Sequence, residues 1–270
     1  MPVTKAVIPA AGLGTRILPA TKTIPKELLT LVDRPMISYV VEEAVGAGCT
    51  DIIIVTSPGK TALEDYFRPA PELEAALEAK GKTELLNALR ETTSTANVTF
   101  VTQHEPLGLG HAVGCARDAV GDEPFAVLLP DELFGGPSLV KNLIDANARF
   151  DASVIAVMEM TLDEISAYGV VDPEPVDESV VRMKGFVEKP PPDEAKSNLG
   201  SVGRYVLTPD VFEALARTKP GTGREIQLTD GISAIGGYAF IHRGRRRDAG
   251  NVPGYVAAFA ELARERGFEV

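Results

Sequence analysis

The stretch Lys5-Ala-Val-Ile-Pro9, followed at once by Ala10-Ala11-Gly12-Leu13-Gly14-Thr15-Arg16, decides how the chain is read. A short apolar run passes into a turn that carries two glycines. This predicts a buried strand feeding a loop whose backbone N–H groups approach an anion closely. The loop is not a P-loop, because G-x-x-x-x-G-K-[ST] is absent. Nor is it a dinucleotide fingerprint, because Ile17 stands at the third glycine position of G-x-G-x-x-G. A lone glycine pair is weak evidence, and by itself a structural turn is favoured. Two cations on the same connection, Arg16 and Lys26, favour a triphosphate. Arg16 forks two oxygens, and Lys26 acts as a point charge.

Outward from this stretch, apolar runs alternate with helical patterns. Ile37, Val40, Val41, Ala44 and Val45 mark one helical face, with Pro35 at its start and Gly46 and Gly48 at its end. Strands are predicted over 51–56, 97–101, 125–129 and 153–157, and helices over 111–120 and 138–150. Strands apolar throughout and separated by helices imply a parallel sheet covered on both faces. Beyond residue 160 the strands crowd together at 170–171, 181–188, 202–207 and 238–241, which fits a mixed, partly antiparallel extension. A last helix spans 252–265. Residues 61–95 read as a charge-rich helical insertion on the surface. No linker or repeat divides the chain. The expected organisation is one domain over 1–270, with a first part (1–160), a second part (161–250) and a C-terminal helix (251–270).

Composition narrows the function. With 44% hydrophobic and 24% charged residues the chain is globular rather than disordered. A net charge of −11 speaks against a nucleic acid partner, which needs a basic footprint. Residues 1–40 break that balance, with Lys5, Arg16, Lys22, Lys26 and Arg34 against Glu27 and Asp33. A small bound anion fits there. No apolar run is long enough to span a bilayer and no signal peptide is visible, so a cytoplasmic location without membrane attachment is expected. Two cysteines, Cys49 and Cys115, make no disulfide framework.

Four more segments bear chemistry. In Gln103-His104-Glu105-Pro106-Leu107-Gly108-Leu109-Gly110-His111, Gln103 offers a paired donor and acceptor suited to a nucleobase edge, and Gly108 permits close approach. A glycine-rich turn without a ligand is the plainer account, and His111 reads as a structural hydrogen-bonding residue. Asp131 follows Leu128-Leu129-Pro130 at a strand's C-terminal end, where open α/β sheets bind ligands, and it suits Mg²⁺. By residue statistics alone it would be a turn aspartate. Glu188 and Lys189 end a strand, either to hold a sugar phosphate or as an exposed ion pair of little weight. Asp248 precedes the last helix as a second metal ligand or as part of its cap. Arg243, Arg245, Arg246 and Arg247 read as a solvated strand flank.

Quoted in order, the segments are AVIPAAGLGTRILPATKTIPKELL, RPMISYVVEEAVGAG, EPLGLGHAV, GDEPFAVLLPDE, YGVV, GFVEKP, SVGRYVLTPDVF, GREIQLTDGI and DAGNVPGY. Together they resemble the sugar-nucleotide pyrophosphorylases, and more closely the bacterial UTP–glucose-1-phosphate uridylyltransferase family, over nearly the whole chain. Leu28-Leu29-Thr30 departs from that pattern, where a methionine and a proline are more usual. The resemblance implies a Rossmann-like nucleotide-diphospho-sugar transferase fold, α/β with a mixed, mostly parallel central sheet flanked by helices. It implies Mg²⁺-dependent uridylyl transfer from UTP to glucose 1-phosphate. Ala10, Ala11, Gly12 and Gly14 would contact UTP, with Arg16 and Lys26 on its phosphates and Gln103 and Gly108 on its uracil and ribose. Asp131 and Asp248 would hold Mg²⁺. Gly169, Glu188, Lys189 and Glu225 would bind the sugar phosphate, and Arg16, Lys26 and Lys189 would carry catalysis. A homodimer or homotetramer is implied. The rivals are the same fold with dTTP or another sugar phosphate, and a non-catalytic nucleotide-sugar sensor.

Overall fold

A computed structural model describes residues 2–136 and 138–270. The first strand, β1 (Lys5–Pro9), has the predicted bounds. Successive side chains of a strand point to opposite faces. Ala6 and Ile8 accordingly enter one buried cluster and Val7 the other. Two short strands, β2 (Thr30–Leu31) and β3 (Arg34–Pro35), form a small ribbon before α1 (Met36–Gly46). Then come β4 (Asp51–Thr56), α2 (Thr61–Tyr66), α3 (Pro71–Ala79), α4 (Thr83–Ser94) and β5 (Asn97–Thr102). The insertion at 61–95 is helical and mostly exposed, and Leu63 and Leu86 anchor it.

The helix predicted over 111–120 is two pieces, α5 (Leu109–Cys115) and α6 (Arg117–Val120). Next follow β6 (Phe125–Leu128), β7 (Glu132–Phe134), α7 (Ser138–Phe150) and β8 (Val154–Glu159). The second half runs β9 (Gly169–Pro175), β10 (Val180–Glu188), β11 (Leu199–Leu207), α8 (Asp210–Arg217), α9 (Leu228–Ile235), β12 (Tyr238–Ile241), β13 (Arg246–Asp248) and α10 (Val252–Glu265).

Among the described residues, nine strands make one sheet in the order β5-β4-β1-β6-β11-β8-β12-β10-β9. The β5-β4-β1-β6 half is parallel, as the apolar runs predict. From β11 outward the pairing is mixed. One apolar cluster packs α1 and α7 on one face, and the other packs α5, α8 and α9 on the opposite face. The sequence reading missed a separate ribbon, β7–β13, in which Asp248 lies opposite Glu132. This ribbon, and not a folded-back edge of the main sheet, carries Asp248 to the strand end beside Asp131.

Arg204 on β11 is wholly buried. Its Nε and Nη2 donate to the two carboxylate oxygens of Glu43 on α1, at 3.0 and 2.7 Å. Nη1 donates to the carbonyl of Leu129 at 2.9 Å, and Nη2 also donates to that of Glu132 at 2.6 Å. The guanidinium sits 4.8 Å from the Phe134 ring centroid. Removing one partner of such a pair leaves an uncompensated buried charge. Arg204→Met is expected to lower stability by about 3–5 kcal/mol in urea unfolding. The double variant Arg204→Met/Glu43→Met is expected to recover most of that loss.

Candidate active site

The C-terminal ends of β1, β6 and β10 open onto a cleft of about 890 Å³. Ala11, Gly12, Arg16, Lys26, Gln103, Gly108, Asp131, Gly169, Glu188, Lys189, Glu225 and Asp248 all line it. Ala10 and Gly14 are not among the residues lining it. Ala10 is buried, and its N–H donates to Val55 O at 2.7 Å. Gly14 has φ +65, and its carbonyl accepts from Thr21 Oγ1 at 2.7 Å. Both shape the loop from behind.

The loop is held by a residue that the sequence reading passed over. Lys60 Nζ donates to Ala10 O at 2.7 Å, to Gly12 O at 2.6 Å and to Glu27 Oε2 at 3.2 Å. All three ammonium donors are thereby used. Glu27 is fully buried. Burial pushes its carboxyl above the usual range, while Lys60 and Lys26 oppose that. Burial likewise lowers the Lys60 ammonium, against the pull of Glu27. The pair keeps the ground beneath the loop near neutral and leaves Arg16 and Lys26 to present positive charge. The only local signal was a lysine after a glycine, close behind strand β4.

Lys26 Nζ lies 2.6 Å from Asp131 Oδ2, and Arg16 Nη2 lies 3.5 Å from the same oxygen. Burial would raise the Asp131 carboxyl, but Lys26 and then Arg16 outweigh it and hold the group below its ordinary value. It is therefore ionised at neutral pH. Gly250 completes the arrangement. A Cβ there would stand 2.8 Å from Asp131 Oδ2, 3.0 Å from Asp248 Oδ1 and 3.2 Å from Arg16 Nη2. Two carboxylates from distant parts of the chain thus face one small volume that only glycine leaves open. Hard carboxylate oxygens suit a divalent cation that completes its shell with water and substrate phosphates. Among the described residues no cluster of three or more His, Cys, Asp or Glu is poised to hold a metal alone.

In the arginine run after His242, Arg243 and Arg245 are exposed, as a solvated flank predicts, but Arg246 and Arg247 are not. Arg246 Nε and Nη2 grip Glu132 at 2.6 Å each, and both terminal nitrogens reach the Tyr168 hydroxyl at 3.1 and 3.2 Å. Its guanidinium stands 5.0 Å from the Tyr168 ring centroid. Burial pushes the Glu132 carboxyl up, with the Arg246 hydrogen bonds opposing it. Arg247 is buried and bonded to Glu261 and Glu265 on α10. Arg246 pairs with an acid 114 residues away, which left no local pattern to read.

At the other end of the cleft, Lys189 Nζ sits 3.3 Å from Glu188 Oε1, and Thr229 Oγ1 donates to Glu188 Oε2 at 2.5 Å. Lys189 has φ +46, and its N–H donates to Tyr168 O at 3.0 Å. Such a conformation in a non-glycine residue costs energy and persists only where the surroundings impose it. Gly108 has φ +100, and a Cβ on it would meet Glu225 Cβ at 2.6 Å. Close approach of Glu225 therefore requires glycine at that position.

Residues 5–265 match the model of the family described as nucleotidyl transferase, and the chain belongs to that family. Over 269 residues it is 47% identical to the UTP–glucose-1-phosphate uridylyltransferase of Bacillus subtilis (strain 168), covering 97% of this chain and 92% of that protein. The crystal structure of a UDP-glucose pyrophosphorylase complexed with UDP-glucose superposes with a TM-score of 0.88 at 41% identity, covering 98% of this chain and 100% of that one. A UTP-bound UGPase from Acinetobacter baumannii gives a TM-score of 0.90 at 42% identity, covering 97% and 94%. Among the described residues no helix is long and apolar enough to cross a membrane.

The crowding around Gly250 makes a direct prediction. Gly250→Ala places a methyl against both carboxylates. Misplacement on this scale costs on the order of 10²-fold in turnover. Nucleotidyl transfer, followed by pyrophosphate release, is expected to fall by about that factor. The melting temperature is expected to stay near that of the parent.

Proposed function

We propose that this chain transfers a uridylyl group from UTP to glucose 1-phosphate, giving UDP-glucose and pyrophosphate. The observation that carries the reading is the convergence of Asp131, Asp248, Arg16 and Lys26 around Gly250, in a cleft that also holds Glu188 and Lys189. A reaction between two phosphates needs opposed anions brought together, and this cleft supplies cations and cation-binding carboxylates on one wall. The naming of the relatives and the bound UTP and UDP-glucose of the two solved structures support the same substrates.

In this reading residues 1–160 serve the nucleotide and 161–250 the sugar. Gly12 and its neighbours present backbone N–H groups to the triphosphate, with Arg16 and Lys26 on its oxygens. Gln103 and Gly108 receive the base. Gly169, Glu188 and Glu225 receive the sugar hydroxyls, and Lys189 its phosphate. A phosphate oxygen of glucose 1-phosphate attacks the α-phosphorus of UTP in line, and pyrophosphate leaves. The attacking oxygen is already ionised, so no protein nucleophile or base is required. Positioning and charge neutralisation do the work. Mg²⁺, when bound, would be held by Asp131 and Asp248 and would neutralise phosphate charge. Lys26 faces Asp131, and the triphosphate would draw it away. The protein acts in the cytoplasm as a homodimer or homotetramer.

A panel of nucleotides and sugar phosphates, assayed by pyrophosphate release, tests the proposal. UTP with glucose 1-phosphate is expected to give the highest kcat/KM. A clear preference for another pair would overturn it.

Asp248→Asn is expected to lower kcat by orders of magnitude with little change in unfolding. Asp131→Asn should do the same and also cost stability, because Lys26 loses its partner. That stability is present above the unfolded aspartate's pKa and is lost as pH falls through the lowered folded value. The two kinetic losses should be far from additive, since both carboxylates serve one ion. Near-parental turnover of either variant at ordinary Mg²⁺ would remove that residue from the metal site.

Lys189→Ala is expected to raise KM for glucose 1-phosphate and lower kcat while leaving UTP affinity unchanged. Steady-state kinetics with calorimetry of UTP binding reads both. Unaltered kinetics toward the sugar phosphate would place Lys189 outside the reaction.

A further inference from the structure

Gln103 is nearly buried, on the segment that follows β5, and lines the cleft. Its Nε2 lies 3.1 Å from the carbonyl oxygen of Gly108 and 2.9 Å from Nδ1 of His111. A carbonyl oxygen only accepts, so the amide must turn its NH₂ toward Gly108. The second N–H of that NH₂ points at His111. Nδ1 must then be the acceptor, which puts the imidazole proton on Nε2. Nε2 faces Cys115 Sγ at 3.9 Å. Both amide donors of Gln103 are consumed, and Oε1 has no hydrogen-bond partner among the described residues. His111 itself does not line the cleft.

We propose that His111 is a positioning residue which, by accepting from Gln103 at Nδ1, locks the Gln103 amide with Oε1 as the acceptor offered to the base, so that the site takes a pyrimidine bearing N3–H and rejects cytosine. This rests on the proposed placement of the nucleotide base at Gln103 and Gly108. Uracil and thymine present a donor at N3, whereas cytosine presents an acceptor there. Opposite a fixed carbonyl oxygen the first pairing forms a hydrogen bond, and the second sets two lone pairs against each other. A site built to pair with an N–H discriminates strongly against the analogue that lacks it, because its own buried acceptor is left unmet. Were the amide free to turn, it would offer NH₂ to cytosine N3 and the discrimination would collapse. Turning is opposed twice. It would bring Oε1 against the Gly108 carbonyl, and His111 would have to move its proton from Nε2, which faces Cys115 Sγ, to Nδ1. The lock is blind to the thymine methyl, so it sorts UTP and dTTP together and sets both apart from CTP.

The test uses two near-isosteric amides at position 111. Asn places its Oδ1 where His carries Nδ1, and Gln reaches instead to the position of Nε2. Calorimetry with UTP and with CTP reads base preference without turnover, and pyrophosphate release with glucose 1-phosphate reads catalysis on the same proteins. The parent is expected to bind UTP at least about 100-fold more tightly than CTP. His111→Asn is expected to keep that ratio within about twofold, while His111→Gln and His111→Leu each narrow it by about tenfold. In the last two variants KM for UTP should rise with kcat held near the parental value. If His111→Leu fails to fold, the contrast between Asn and Gln carries the test alone. Equal ratios in the Asn and Gln variants, or a parent that binds CTP as well as UTP, would overturn the proposal. A parent that discriminates UTP from CTP in calorimetry yet releases no pyrophosphate with glucose 1-phosphate would instead count against the sugar-phosphate reading and leave this one supported.

Discussion

The structure depends most on the buried guanidinium of Arg204. It ties three things that sequence keeps far apart: α1 through Glu43, the end of β6 through the carbonyl of Leu129, and the start of β7 through the carbonyl of Glu132. Asp131 lies between those two carbonyls. A strand that ends at a ligand site must turn sharply and leaves main-chain acceptors without ladder partners. Unpaired, such groups are costly inside a protein. Arg204 satisfies them from beneath with donors fixed in a plane. The carboxylate that faces the cleft is therefore aimed by a charge on the far side of the turn. That charge is neutralised by Glu43, so it adds little net field of its own at the site.

A second ion pair repeats the arrangement under the nucleotide side. Lys60 and Glu27 are buried together, and the ammonium holds the carbonyls of Ala10 and Gly12. With the carbonyls turned inward, the loop's N–H groups are free to face the cleft. Arg16, exposed, and Lys26, paired with Asp131, then line the cleft as cations on a chain that is acidic overall. Arg246 plays a comparable part toward the sugar end. It joins Glu132, next to Asp131, to Tyr168, whose carbonyl fixes the backbone of Lys189. Through it, the Asp131 turn and Lys189 share one network.

Much of this was legible along the chain. The apolar run at Lys5–Pro9, the amphipathic face from Ile37 to Val45 and the strand at Asp51–Thr56 announce themselves by local pattern, because a parallel strand buried on both faces must be apolar throughout. The glycines at 12, 108 and 169, the aspartates at 131 and 248 and the Glu188-Lys189 pair stand at element ends, where ligand-binding residues of α/β sheets gather. Local pattern fails where a residue's partner is remote. Arg246 reads as one more surface arginine until β13 pairs with β7. Lys60 reads as a loop lysine until the nucleotide loop folds over it.

What the sequence determined by itself was therefore the set of elements and the chemical types offered at their ends, since periodicity and turn chemistry act over a few residues. The tertiary structure alone decided which of those groups meet. Asp131 and Asp248 face one volume because the three-residue register of the β7–β13 ribbon places Asp248 beside Glu132 and because Gly250 carries no side chain there. The carbonyls of Ala10 and Gly12 are held by Lys60 and that of Gly14 by Thr21, partners that no local pattern announces. The direction of the Gln103 amide belongs to the same category. Sequence supplies a donor and an acceptor on one side chain, and only the positions of the Gly108 carbonyl and the His111 ring decide which of the two is left over.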